Sequence, residues 1–127
     1  RGRRPSSRTR KSSCPCRWSA DTTRAVLDRA GLTDCFEAHL DVHGAGGRWK
    51  PAAEAYAYAV RAVGVAAGAV MLVSVHPWDI DGAARAGLAT AWLRRGRDPY
   101  PTSLLTAERE ADGVADLARM LGETTPG

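Results

Sequence analysis

The run Ala69-Val70-Met71-Leu72-Val73-Ser74-Val75 constrains this chain more than any other segment, with Gly68 before it and His76-Pro77 after it. A strand with one wet face alternates apolar and polar side chains. This run is apolar at every position but Ser74, and its length and valine content suit a strand covered on both faces, as in a parallel sheet. Parallel strands need crossover segments, and the flanks provide them. Pro51 suits the first turn of a helix running to about Ala62, with Ala55, Ala59 and Ala62 along one face and Tyr56 offset from them. Pro77 to Ala86 reads as a second helix ended by Gly87, Ala89 to Leu93 as the next strand, and Asp112 to Leu121 as a last helix after a very short strand. Upstream, Ala25, Val26, Leu27 and Ala30 predict a helix capped by Ser19 or Asp21 and stopped at Gly31. A short strand is expected around Ala38 to Val42, leading into the loop at Gly44 to Gly47. The alternation predicts an α/β fold with a doubly wound parallel sheet.

The chain's 127 residues suit one domain of ordinary size. With 6% aromatic residues, Ala, Val and Leu must fill most of its core. The net charge of +4 hides a division. Seven of the 18 basic residues (Arg1, Arg3, Arg4, Arg8, Arg10, Lys11 and Arg17) lie in the first 17 positions, which hold no acid, leaving 11 basic against 14 acidic groups, a net of −3, in the rest. A nucleic-acid surface should involve the folded part, so nucleic acid is not the expected partner. Residues 1 to 18 are rich in Arg, Ser and Pro and are expected to be a disordered tail. Residues 19 to 122 are expected to form the domain and 123 to 127 a second tail. The longest apolar stretch, Val63 to Val75, is too short for a membrane span and is broken by Gly64, Gly68 and Ser74. Three cysteines, Cys14, Cys16 and Cys35, form no CxxC pair and no even set, which argues against a disulfide framework and fits a cytoplasmic location.

In open parallel sheets, functional groups gather at the carboxyl ends of the strands. Two loops qualify, one leading to Lys50 and one from Ser74 to Asp79, and neighbouring strands would bring them together. A lysine just before a helix can aim its ammonium into a cleft to offset a carboxylate or phosphate; taken alone, it is an ordinary surface lysine. Asp79 and Asp81 stand in the first turn of the helix after the buried run, where the helix dipole favours carboxylates whatever their function. Ser74 is either a hydroxyl aimed at the same cleft or a small buried residue. His39 and His43 are four apart, but strand spacing there does not converge on a metal. Arg94-Arg95-Gly96-Arg97 reads as a solvated strand end.

Lys50-Pro51 with Tyr56, followed by Val70 to Ala83, resembles the latter half of the haloacid-dehalogenase-like hydrolases, over roughly residues 19 to 122. Trp78-Asp79 with Gly82-Ala83, Gly87 and Thr90-Ala91-Trp92 resembles the 2-haloacid dehalogenase subgroup, and Leu32 to Phe36 also fits the family pattern. The resemblance implies a Rossmann-like, three-layer α/β/α fold. It implies that Lys50 balances the charge of a nucleophilic aspartate, that Asp79 holds this lysine and helps place the hydrolytic water, and that Ser74 and Tyr56 are site residues. His76 stands where asparagine is frequent, so its place in the site is open. The Gly-Asp pair with which phosphatases of the family bind magnesium is absent near Ser74-Val75. The implied chemistry is therefore dehalogenation of a short 2-haloacid with no cofactor or metal and no membrane partner, in a chain that could form a homodimer.

The chain departs from the family pattern at its start. The family nucleophile is an aspartate after the first strand, followed by a helical cap; no aspartate precedes Asp21, and Cys14-Pro15-Cys16-Arg17-Trp18 stands where the second family motif would be. The expectation is thus a C-terminal portion with the N-terminal strand and cap missing, inactive alone, and a frameshift is one origin for residues 1 to 18. The alternatives are a binding module whose basic arm contacts nucleic acid or an acidic protein, and a fragment of a phosphatase of the same family.

Overall fold

The computed structural model describes residues 20–41 and 43–123. The basic tail, the Ser19 cap and the residues after 123 lie outside the described residues. The chain divides into two units, one ending at His39 and the other beginning at Leu40. In the first, helix α1 (Ala20–Ala30) is followed by a 3₁₀ turn, Thr33–Cys35. Among its described residues the apolar side chains are largely exposed, Val26 at 60% and Phe36 at 50%. Gly31 stops α1 as expected, with φ +68°.

The second unit is built around the apolar run. Its centre, Met71–Ser74, is β1, which pairs in parallel with β2 (Ala89–Leu93), Met71 opposite Ala89 and Ser74 opposite Trp92. The very short strand is Arg109–Ala111, β3, parallel to β2 on its far side. The order β1-β2-β3 follows the chain. Helix α2 (Ala53–Val63) precedes β1, α3 (Pro77–Arg85) joins β1 to β2, and α4 (Val114–Glu123) follows β3.

Because successive strand residues point to opposite faces, the run feeds two cores. Val70 and Leu72 pack with Tyr56, Val60, Ala83 and Leu88 on the α2–α3 side. Met71 and Val75 pack with Ala91, Leu93, Ala111, Leu117 and Met120 on the α4 side. The result is the expected three-layer α/β/α arrangement. Pro77 occupies the first turn of α3, where its missing N–H has no helical partner to lose. Gly87 closes that helix with φ +85°, a left-handed conformation that a side chain disfavours. Its N–H donates to Ala84 and that of Leu88 to Ala83, both at 3.0 Å, a helix stop sealed by the Leu88–Ala83 apolar contact.

Three expectations need correction. The apolar run is not fully covered on both faces: β1 stands at the edge of the described sheet, each of its residues is only partly buried or exposed, and Val73 is 43% exposed. Residues 38–41 form no strand. The Asp41 carboxylate accepts the Gly44 N–H at 3.0 Å, so a side-chain-closed turn competes with strand pairing there. Pro51 is not in the first turn of α2, which starts two residues later at Ala53 with Ala52 as its cap; the Lys50-Pro51 peptide is cis. No described helix is long and apolar enough to cross a membrane.

Candidate functional site

The carboxyl end of β1 runs through Ser74 into the start of α3, and this turn is braced from three sides. The His76 N–H donates to Ser74 Oγ at 3.1 Å. The Trp92 indole N–H donates to the Val75 carbonyl at 3.1 Å, and its ring meets Tyr100 edge-on, with centroids 4.9 Å apart. Asp81 accepts the Leu105 N–H at 2.9 Å and pairs with Arg85 at 2.9 Å, which ties the loop after β2 to α3. Position fixed in this way, Asp79 lies in the first turn of α3 and is buried.

Both carboxylate oxygens of Asp79 are engaged. Oδ2 meets Lys50 Nζ at 3.0 Å, and Oδ1 accepts the Tyr56 hydroxyl at 2.7 Å. The same hydroxyl lies 3.3 Å from the Asp79 carbonyl, and Lys50 Nζ sits 5.7 Å from the centre of the Tyr56 ring. Tyr56 is 1% exposed, whereas the Lys50 side chain is 43% exposed. The ammonium therefore has one face on a buried carboxylate and another toward solvent. An ammonium has three N–H donors, and Asp79 takes one of them.

Gly82 makes this packing possible. A Cβ at that position would stand 2.6 Å from the Tyr56 hydroxyl, 2.9 Å from Pro51 Cβ and 3.0 Å from the Tyr56 ring. A glycine inside a helix costs about 1 kcal/mol relative to alanine, so its presence in α3 is a sequence signal of close approach.

Of the residues singled out from sequence, Lys50, Tyr56 and Asp79 come together as one hydrogen-bonded set. Ser74 is adjacent but serves the turn through its hydroxyl. The exposed His76 ring stacks on Trp78, centroids 5.5 Å apart and 20° between planes, rather than joining the set. The Trp92–Tyr100–Asp81 brace had no role assigned from sequence. Arg94 is held by the carboxylates of Glu110 at 3.1 Å and Asp112 at 2.6 Å.

The burial of Tyr56, reinforced by the hydrogen bond and negative charge of Asp79, pushes its phenol well above the usual tyrosine range. Burial also raises Tyr100, with the Asp81 charge adding to it. A phenol that holds its proton more tightly when folded contributes stability at pH values below its unfolded value, near 10, and that contribution is lost as pH rises beyond it. Denaturant midpoints measured from pH 9 to 11.5 should therefore fall steeply above about pH 10. The fall should be shallower in Tyr56→Phe, the remaining slope belonging to Tyr100; an unchanged slope would show that Tyr56 titrates normally.

A family model described as haloacid dehalogenase-like hydrolase matches residues 19–87. The chain belongs to the haloacid dehalogenase-like hydrolases. The (S)-2-haloacid dehalogenase of Pseudomonas sp. (strain YL) is 35% identical over 109 residues, which take in 86% of this chain and 46% of that protein. Haloacetate dehalogenase H-2 of Moraxella sp. (strain B) is 31% identical over 77 residues, 61% of this chain and 34% of that one. In fold, the chain is similar to the L-2-haloacid dehalogenase of Xanthobacter autotrophicus, with a TM-score of 0.76 at 23% identity, over 84% of this chain and 53% of that structure. This haloacid dehalogenase-like chain thus spans about half the length, or less, of the relatives it matches.

Proposed function

We propose that Lys50, Asp79 and Tyr56 are the charge-balancing half of a site that hydrolyses 2-haloacids. In this reading an aspartate carboxylate displaces halide from C2 of the acid, and water then cleaves the resulting ester. Lys50 offsets the negative charge of the nucleophile and of the substrate carboxylate. Asp79 orients that ammonium, and Tyr56 fixes Asp79. Ser74 and His76 border the site, shaping the turn beneath it. The observation that carries the reading is the half-exposed Lys50 ammonium held at 3.0 Å by a buried carboxylate. The donor set around Asp79 is an ammonium and a phenol, which do not ligate a divalent cation, so the reading routes no step through a metal.

Covalent catalysis requires the nucleophile itself, and Asp79 cannot serve while both its oxygens are bonded. In this reading the Lys50, Asp79 and Tyr56 set balances and orients charge and does not itself supply the attacking carboxylate. The isolated chain is expected to bind 2-chloropropionate in calorimetry, with Lys50→Ala weakening that binding about ten- to a hundredfold, as for loss of a charge-assisted hydrogen bond. It is expected to release no chloride above the Lys50→Ala control. Lys50-dependent chloride release would show that the chain is complete for chemistry, and an absence of binding would remove the haloacid reading altogether.

A further inference from the structure

Beside Lys50 lies a cavity of about 420 Å³, and its walls are aromatic. Trp49, Trp78 and Tyr58 line it together with Leu40, while Ala55 and Ala59, one turn apart on α2, leave the space between them open. Lys50 and Arg48 are the cations in the lining. Arg48 is paired with Glu54 at 3.1 Å. The acid in the lining, Asp41, accepts the Gly44 N–H and is part of that loop's turn.

Two of the aromatic walls are set by packing. Tyr58 lies so close to Gly44 that a Cβ there would fall 2.1 Å from its hydroxyl oxygen. Trp78 is stacked on His76, yet remains 45% exposed, and Trp49 is 66% exposed. The cavity opens to solvent and, at about 420 Å³, has room beyond a three-carbon haloacid. A largely apolar pocket of this size, with Lys50, Arg48 and Asp41 as its charged groups, suits a compound that carries apolar bulk beside its charge. Exposed indoles on a pocket wall offer flat apolar area and edge or face contacts to such a ring.

We infer that the substrate is a 2-haloacid carrying an aromatic or comparably bulky apolar group beyond C2. Its carboxylate meets the hydrogens of Lys50 not given to Asp79, and its ring enters the cavity between Trp49 and Trp78. This rests on the haloacid reading of Lys50 and adds the size and character of the rest of the molecule.

The test is calorimetric titration of the 127-residue chain with propionate, 3-phenylpropionate and the uncharged 3-phenylpropionamide. The aryl acid is expected to bind at least tenfold more tightly than propionate. Trp49→Ala and Trp78→Ala, both at exposed positions, should remove most of that advantage with the circular dichroism spectrum unchanged. Lys50→Ala should weaken both acids, and the amide should bind less well than the acid. Equal affinity for the two acids overturns the bulky-substrate inference and leaves the haloacid reading standing. Binding of the amide as tightly as the acid, or aryl binding indifferent to Lys50→Ala, also overturns the inference, since the cavity then takes any apolar ring. Failure of both acids to bind overturns the inference and the haloacid reading together.

Discussion

Asp79→Ala is expected to lower the free energy of unfolding by about 2–4 kcal/mol, measured by urea denaturation followed by circular dichroism. Asp79 is 6% exposed, and its carboxylate bonds two side chains that come from a different part of the sequence. Its removal leaves the buried Tyr56 hydroxyl with only the 3.3 Å contact to the Asp79 carbonyl, and a buried donor deprived of its partner costs more than the bond itself contributed. The Lys50 side of the loss is smaller, because a 43% exposed ammonium regains water when its partner goes. That difference places the expected cost toward the lower part of the range seen for breaking fully buried pairs. Asp79→Asn keeps an acceptor for Tyr56 and should cost about half as much. A loss below about 1 kcal/mol for the alanine variant would mean that Tyr56 and Lys50 find other partners and that Asp79 does not anchor α2 to α3.

The extent to which the site was legible follows from how local its signals are. The β1 strand and the helix after it are written in short-range pattern, an apolar run for β1 and Pro77 and Gly87 for the limits of α3, but the run does not reveal that β1 stands at the edge of the described sheet and is only partly buried. Ala38 to Val42 misled because apolar residues near a loop look alike whether or not a partner strand lies beside them. Asp41 decided the matter through a bond to Gly44 that composition does not reveal. Lys50 and Asp79 were expected to meet as ends of neighbouring strands. They do meet, but by another route: α2 carries Tyr56 onto α3, and the hydroxyl reaches the carboxylate 23 residues further along. The bracing of the Val75 carbonyl by Trp92, and of Asp81 by Leu105, depends on side chains crossing between elements, for which no spacing rule exists. Gly82 was visible as a letter within a family-like motif, but its reason appears only once the Tyr56 ring is seen against it.

Gly82→Ala should also destabilise the chain, although intrinsic helix propensity argues the opposite. In an exposed helix interior, alanine would gain about 1 kcal/mol over glycine. Here the added methyl meets the Tyr56 hydroxyl at 2.6 Å and Pro51 Cβ at 2.9 Å, closer than real Cβ contacts come, and neither neighbour is a flexible chain end. Tyr56 is held by Asp79, and Pro51 by its ring and its place before α2. Overpacking of this kind costs about 1–3 kcal/mol and forces α2 away from α3, which lengthens the bond that holds Asp79. The net expectation is a loss of about 1–2 kcal/mol after the propensity gain is set against it. A double-mutant cycle with Tyr56→Phe separates the causes, because phenylalanine lacks the hydroxyl that makes the closest contact. If the clash is the mechanism, the double variant loses less stability than the sum of the two single losses. Additive losses would instead assign the effect of Gly82 to Pro51 and the helix backbone, and stabilisation by Gly82→Ala would show that Tyr56 has room to move and that α3 does not fix it.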